Sequence, residues 1–127
     1  MQLLLDTHTF LWAVSGDDRL SKNACVAFQN AKRLFLSSIS SWEINTKYNA
    51  GKLPLPEQPS LYIPKQRTKH QIETLAFTEA DTFQLSKLPL IHKDPFDRML
   101  IAQAIANNLT ILTADSAITQ YPIATLW

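Results

Sequence analysis

The order of apolar segments along the chain is the feature that most constrains its fold. Short, mostly apolar runs occur at residues 3–5, 34–36, 72–76 and 109–112, and stretches with helical spacing of apolar residues separate them. A strand that is apolar along its length is buried on both faces, as in a parallel sheet covered by helices. The alternation predicts an α/β protein with three layers, α/β/α, around a mostly parallel sheet of four to five strands, the fifth at residues 123–126.

Six segments between these runs are predicted to be helical. They span residues 7–14, 21–32, 39–50 and 60–70, a segment that begins at Thr78, and residues 95–107. The last is the most strongly marked, because Asp94 is placed as its N-cap and Pro95 occupies its first position. Pro64 is expected to interrupt the segment 60–70, since proline removes a backbone hydrogen bond inside a helix.

Size and composition indicate one folded domain, residues 1–127, that needs no disulfide. Of the 127 residues, 46% are hydrophobic and 18% are charged, which is typical of a protein with a buried core. Cys25 is the sole cysteine, so we expect a buried thiol in a protein of the reducing cytoplasm, with neither a disulfide nor a multi-cysteine zinc site. No apolar run is long enough for a signal peptide or a membrane span, which predicts no membrane contact.

The charge of the chain does not by itself identify a nucleic-acid-binding protein, because the net charge is only +1. A basic cluster of Lys65, Arg67, Lys69 and His70 is expected to be a solvated helix face. The basic residues near Asp94 carry more weight, because they adjoin an acidic motif.

That motif is the run His92-Lys93-Asp94-Pro95-Phe96-Asp97-Arg98, which places two carboxylates at the start of a helix. Three more acidic residues have comparable positions: Asp6 and Asp115 follow strands, and Glu43 lies in a helix just after the second strand. Because the carboxyl ends of central parallel strands meet at one edge, we expect these side chains to lie together. Clustered carboxylates repel one another, and a divalent cation removes that repulsion.

Each carboxylate also has a purely structural explanation, which stays open at this point. Asp6, Asp94 and Asp115 are placed to cap the helix or turn that follows each of them. Asp97 lies near a helix N-terminus, where negative charge is favourable, and Glu43 is explicable as an exposed helix charge.

The type of metal follows from the donor atoms. Oxygen ligands favour Mg²⁺ or Mn²⁺ over zinc, and the three histidines (His8, His70 and His92) lack the H-x-x-x-H spacing of a zinc site. The chain has no phosphate-binding loop, dinucleotide fingerprint or nucleophilic-serine motif, and only two glycines. A metal-dependent phosphodiesterase, in the first instance a ribonuclease, is the function that these residues favour.

Four segments carry a resemblance to a known family. They are Leu4-Leu5-Asp6-Thr7-His8, Ser41-Trp42-Glu43-Ile44, the stretch from His92 to Ala104, and Thr113-Ala114-Asp115 with the terminal Leu126-Trp127. Together they resemble the PIN-domain nucleases, and among these the VapC-like toxins of type II toxin–antitoxin systems. The likeness extends over nearly the whole chain, and the stretch that contains Asp97 is its most specific part.

The resemblance implies a quartet of residues that are both catalytic and metal-binding: Asp6, Glu43, Asp97 and Asp115. One or two Mg²⁺ or Mn²⁺ ions held there would activate a water for in-line attack on an RNA phosphodiester. Four further residues would support the site: Asp94, Thr7, Thr113 and Arg98. The two threonines, and more weakly Ser41, would orient a carboxylate or water. Arg98, Lys93 or Lys47 would contact flanking phosphates, and an ordinary surface role stays open for each of them. Asp94 would either cap its helix or support the site.

The resemblance also implies a cognate antitoxin that covers the site and a second copy of the chain as a homodimer partner. Trp12, Trp42 and the proline-rich segment 53–59 offer apolar surface for either partner, although Trp42 is more simply expected in the core. Rival functions are a non-catalytic PIN-like scaffold that binds RNA or protein, and a metal-dependent DNA nuclease or phosphatase, which needs the same ligands.

Overall fold

Five parallel strands form one sheet in the computed structural model, which describes all residues from 1 to 127. The strands are β1 (Gln2–Leu5), β2 (Arg33–Ser37), β3 (Ile72–Leu75), β4 (Thr110–Leu112) and β5 (Thr125–Leu126). Their order in the sheet is β3-β2-β1-β4-β5, and every neighbouring pair is parallel. The predicted sheet is confirmed, although its fifth strand is shorter than residues 123–126. The central strand is β1, with β2 and β4 on either side.

Seven helices accompany the sheet. They are α1 (Thr7–Ser15), α2 (Lys22–Asn30), α3 (Ser38–Asn49), α4 (Pro59–His70), α5 (Glu79–Leu85), α6 (Pro95–Ala106) and α7 (Ser116–Thr119). The sequence predicted only a turn where α7 forms. Cys25 is partly exposed rather than buried, because α2 turns Ala24 fully inward and leaves its neighbours near the surface. None of the helices is long and apolar enough to cross a lipid bilayer.

Two apolar cores lie on opposite faces of the sheet. Successive side chains of a strand point to opposite faces, so Leu3 and Leu5 of β1 enter one core and Leu4 enters the other. The first core contains residues of α1 to α4, and the second contains residues of α6 and α7. The three leucines are fully buried. The fold is therefore the three-layer α/β/α arrangement that the sequence predicted.

Pro64 lies inside α4 without breaking it, so the expected interruption of this helix is wrong. The helix is held on both sides of the proline. Before it, Ile63 packs into the first core; after it, the guanidinium of Arg67 donates to the backbone oxygens of Leu36 (3.2 Å) and Glu73 (2.9 Å). These contacts outweigh the missing backbone hydrogen bond. They also make Arg67 part of the packing rather than of the solvated basic face that was predicted.

The substitution Pro64→Ala is expected to stabilise the protein. A proline inside a helix costs about 3 kcal/mol relative to alanine, and the restricted unfolded chain offsets about 1 kcal/mol of this cost. We therefore expect the free energy of unfolding to rise by roughly 2 kcal/mol, measured by urea denaturation. An unchanged or lower value would show that α4 is not a continuous helix at this position.

Candidate metal centre

The carboxyl ends of β1 and β4 bring Asp6 and Thr113 side by side. Leu5 and Leu112 are in register, so the residues that follow them meet at the same edge of the sheet. The amide of Asp6 donates to the carbonyl oxygen of Leu112 (3.4 Å), which extends the pairing by one residue. Asp115 lies two residues beyond Thr113. This is the edge at which the sequence predicted that the carboxylates would gather.

Asp6 is held by hydrogen bonds to both of its carboxylate oxygens. Oδ1 accepts from the amide of Thr9 (2.7 Å), which makes Asp6 the N-cap of α1. Oδ2 accepts from the hydroxyl of Thr113, whose oxygen in turn accepts from the amide of Asp115 (3.0 Å). Burial raises the pKa of Asp6, and the hydrogen bonds from Thr113 and Thr9 lower it in part. Asp6 thus caps a helix and is also fixed to β4.

Glu43 is buried, and each of its carboxylate oxygens accepts one hydrogen bond from the protein, so it is not an exposed helix charge. Its Oε1 accepts from the hydroxyl of Thr7 (2.7 Å), and its Oε2 accepts from the ammonium of Lys47 (2.5 Å). This hydrogen bond is the contact through which Thr7 would orient the Glu43 carboxylate, the role predicted for it. Lys47 is engaged in this ion pair, so it is not a free cation for a phosphate.

Ser40 extends this network, and the sequence interpretation missed it in favour of Ser41. The hydroxyls of Thr7 and Ser40 lie 2.9 Å apart. Because Thr7 has one hydroxyl hydrogen and gives it to Glu43, the hydrogen between the two hydroxyls must come from Ser40. Ser40 lies three residues before Glu43, a spacing that puts both on one helix face, and this spacing was the signal available in the sequence.

Asp97 is the residue on which the charges of all the other acidic residues of the predicted site act. It lies partly buried in the first turn of α6, and the protein donates no hydrogen bond to its carboxylate. Its pKa is raised from 3.8 to about 7, chiefly because burial removes water from the charged form. Four neighbouring charges raise it further, in decreasing order Asp94, Asp115, Glu43 and Asp6. The structure thus brings the other three residues of the predicted quartet, and Asp94, within electrostatic reach of Asp97.

Asp94 and Asp115 are exposed and cap the two helices that follow them. Oδ1 of Asp94 accepts from the amides of Phe96 (2.9 Å) and Asp97 (3.5 Å), and Oδ1 of Asp115 accepts from the amide of Ala117 (2.9 Å). In each residue the protein donates no hydrogen bond to Oδ2. Both capping predictions are confirmed, and each cap leaves an oxygen available to a ligand.

Arg98 is tied to the loop before α6 through one nitrogen of its guanidinium group. Its Nη1 donates to the carbonyl oxygen of Pro89 (2.9 Å) and to the hydroxyl of the buried Tyr121 (3.0 Å). The same hydroxyl accepts from the amide of His92 (3.0 Å). Arg98 therefore holds the loop that leads to Asp94.

Trp42 is 56% exposed, so the expectation that it packs in the core is wrong. Helix α3 turns Ile39, Ser40, Glu43 and Ile44 inward, which leaves Trp42 on its outer face. There the indole meets the ring of Phe96 edge-on, with centroids 5.1 Å apart. This pair links α3 to α6, next to Glu43 and Asp97.

The donor set has the chemistry of a hard-cation site but is not a closed cage. No three His, Cys, Asp or Glu side chains come together in a group that could hold a metal ion as they stand. Mg²⁺ does not need such a cage, since proteins usually bind it through one or two carboxylates, with waters and substrate phosphates as further ligands. Carboxylate oxygens without a hydrogen bond, on Asp94, Asp97 and Asp115, fit that mode of binding.

Solved structures with the same fold cover almost the whole chain. VapBC2 from Rickettsia felis, bound to a DNA fragment from its promoter, matches with a TM-score of 0.75 and 20% identity over 99% of this chain and 98% of that one. DNA-bound VapBC from Salmonella typhimurium matches with a TM-score of 0.74 and 20% identity, over 99% of this chain and 97% of that one. VapBC-1 from nontypeable Haemophilus influenzae matches with a TM-score of 0.69 and 13% identity, over 99% of this chain and 97% of that one.

These likenesses establish the fold, and the family follows from a separate sequence match. Among curated proteins, no sequence matches the chain. The PIN domain family model, in contrast, matches residues 3–124, which include every carboxylate described above. The chain therefore belongs to the PIN-domain family of nucleases.

Proposed function

We propose that this chain is a Mg²⁺- or Mn²⁺-dependent endoribonuclease and the toxin of a type II toxin–antitoxin pair. The observation that carries the proposal is the position of Asp97, a partly buried carboxyl within electrostatic reach of four other carboxylates. Burial first, and then these four charges, raise its pKa to about 7. Clustered carboxylates destabilise one another unless protons or cations compensate, so their retention in one place favours a role in binding a cation.

Asp6, Glu43, Asp97 and Asp115 would hold the metal, with Asp97 and Asp115 offering oxygens that the protein leaves free. When bound, the metal lowers the pKa of a water and offsets the charge of the phosphodiester. The protein's own part is to keep the acidic side chains in place. Thr113 and the amide of Thr9 fix Asp6, while Thr7 and Lys47 fix Glu43. Supporting contacts of this kind orient ligands and tune their basicity.

RNA is the substrate that we propose because the motifs resemble VapC-like toxins and the fold matches solved VapBC complexes. The same two likenesses support an antitoxin as partner. A pocket of about 390 Å³ beside α1 suits an antitoxin segment, since Leu11, Trp12 and the proline-rich residues 53–56 line it. A second copy of this chain is the other proposed partner, as a homodimer.

The experiment that tests this function compares RNA and DNA strands of the same sequence, each with the purified chain and Mg²⁺. We expect internal cleavage of the RNA alone, and no cleavage by the Asp97→Asn variant. Cleavage of the DNA strand would make the protein a DNA nuclease, and release of terminal phosphate alone would make it a phosphatase. Binding of RNA without cleavage in either metal would leave the non-catalytic scaffold.

A further inference from the structure

A second pocket, of about 360 Å³, opens directly beside the acidic centre. Its lining consists of Asp6, His8, Trp12, Arg19, Ala114 and Asp115. Two of these residues belong to the proposed metal centre, so a group in this pocket lies next to the phosphodiester that the centre would cleave. Hydrolysis at the metal centre gives no role to the three flat side chains of His8, Trp12 and Arg19, which also line the pocket proposed above for an antitoxin segment. The volume lies in the lower part of the range of small-molecule sites.

The three flat side chains form a platform in which His8 and Arg19 both lie against Trp12. The rings of His8 and Trp12 have centroids 5.9 Å apart and are inclined by 38°, and the guanidinium carbon of Arg19 lies 4.9 Å from the centroid of the Trp12 ring. Trp127 supports the indole edge-on from a distance of 6.0 Å. Trp12 is partly buried, whereas His8 and Arg19 are exposed. A ligand would therefore meet planar surface backed by an indole.

The charges around the pocket favour a flat, uncharged group over a phosphate. The guanidinium of Arg19 is already paired with both carboxylate oxygens of Asp17, at 3.1 and 2.8 Å. This pairing lowers the pKa of Asp17 to about 2, so Asp17 stays charged and offsets the charge of Arg19 at neutral pH. Asp6 and Asp115 add negative charge to the same pocket. Arg19 thus contributes its planar face more than a free positive charge.

We infer that this pocket holds one nucleobase of a single-stranded nucleic acid, stacked on the platform of His8, Trp12 and Arg19. The inference rests on the proposed function, because it places the base beside the phosphodiester at the metal centre. Bases in single strands and loops are accessible to aromatic and guanidinium planes, whereas those in a duplex are stacked on their neighbours. The platform would therefore select unpaired segments of the substrate and position the backbone for cleavage.

The test measures binding rather than cleavage. A fluorescent single-stranded RNA of about ten nucleotides, within the size range of one binding site, is titrated with the Asp97→Asn chain in Mg²⁺. On that background, Trp12→Leu and Arg19→Lys are each expected to weaken binding roughly 5- to 100-fold, the effect of losing one stacked base. Trp12→Phe keeps an aromatic face and is expected to retain most of the affinity. The matched control is Phe83→Ala, which removes an aromatic ring that is 60% exposed on α5.

The ligand supplies a second control. For a strand of the same length without bases, we expect Trp12→Leu and the parent chain to bind equally weakly. Melting temperatures of all variants show whether a loss of affinity reflects a loss of fold. If Trp12→Leu is also less stable, Trp12→Phe still tests the aromatic face in a protein that folds.

Three results would overturn the inference. The first is that Trp12→Leu leaves the affinity for the RNA unchanged. The second is normal binding by Arg19→Lys together with weak binding by Arg19→Ala, which would indicate a phosphate site. The third is that the parent chain shows no measurable binding. The outcome is distinguishable from that of the proposed function. Binding that depends on Trp12 with no RNA cleavage by the wild-type chain would support the base pocket and refute the nuclease.

Discussion

Replacing Asp97 by asparagine is expected to stabilise the metal-free protein above pH 7 and to flatten its stability between about pH 4 and pH 7. In the folded protein the pKa of Asp97 is raised from 3.8 to about 7. Below pH 4 the carboxyl is protonated in both the folded and the unfolded state, so it has no net effect. As the pH rises to 7, the unfolded chain ionises first, and the folded state loses stability progressively.

The side chain is partly exposed to water, which screens the repulsion. We therefore expect a gain of the order of 1–2 kcal/mol in the free energy of unfolding at pH 8, reduced by about 0.5 kcal/mol because asparagine interacts less well with the N-terminus of α6. Urea denaturation in EDTA between pH 4 and pH 8 measures this difference in the free energy of unfolding. Adding Mg²⁺ should stabilise the wild-type protein and leave the variant almost unchanged.

The control for this experiment is Glu79→Gln, which neutralises an exposed acid in the first turn of α5, away from the carboxylate cluster. It is expected to leave the pH dependence as in the wild type. Between pH 4 and pH 7 the free energy of unfolding should fall more for the wild type than for Asp97→Asn. An equal fall in the two proteins would contradict the assigned carboxylate cluster.

The second large effect is expected for Thr113→Val, which keeps the shape of the side chain and removes its hydroxyl. The buried carboxylate of Asp6 would then lack a donor for Oδ2, and the amide of Asp115 would lose its acceptor. Leaving a buried polar group unpaired costs about 1–3 kcal/mol. Losing a contact that orients a metal ligand reduces activity roughly 10- to 100-fold. Urea denaturation and the RNA cleavage rate measure the two effects.

Two variants separate the hydroxyl from the general effect of a substitution in β4. Thr113→Ser keeps the donor and is expected to restore most of the activity. Thr110→Val makes the same chemical change at a partly buried threonine whose hydroxyl has no partner within the protein. If Thr110→Val lowered the cleavage rate as much as Thr113→Val does, the contact between Thr113 and Asp6 would have no special role.

The parts of the fold that were predictable are those written in local patterns. The leucines of β1 are apolar on both faces, which is the mark of a buried parallel strand, and the dipeptide Asp94-Pro95 marks the start of α6. Asp6 and Asp115 follow strands that are neighbours in the sheet, so their approach to Asp97 followed from the topology once the sheet was assigned. Asp6 and Asp115 each cap a helix and also lie within electrostatic reach of Asp97, so the two explanations of these residues are compatible.

What the sequence did not reveal depends on tertiary contacts. Pro64 carries a strong helix-breaking signal, yet Ile63 and Arg67 have partners elsewhere in the chain that hold the helix. Trp42 is large and apolar, but its position on the outer face of α3 is fixed by which neighbours turn inward. Arg98 adjoins Asp97 in the sequence, and only the fold shows that Tyr121, distant in sequence, accepts its hydrogen bond.

Cleavage of total cellular RNA by the purified chain would show whether the carboxylate cluster is the centre of a metal-dependent ribonuclease. The wild-type and Asp97→Asn proteins are compared in Mg²⁺, in Mn²⁺ and in EDTA. We expect discrete RNA fragments with the wild-type protein in either metal, and none in EDTA or with the variant. Intact RNA in every wild-type lane, or equal fragmentation by Asp97→Asn, would contradict a metal-dependent ribonuclease centred on this carboxylate.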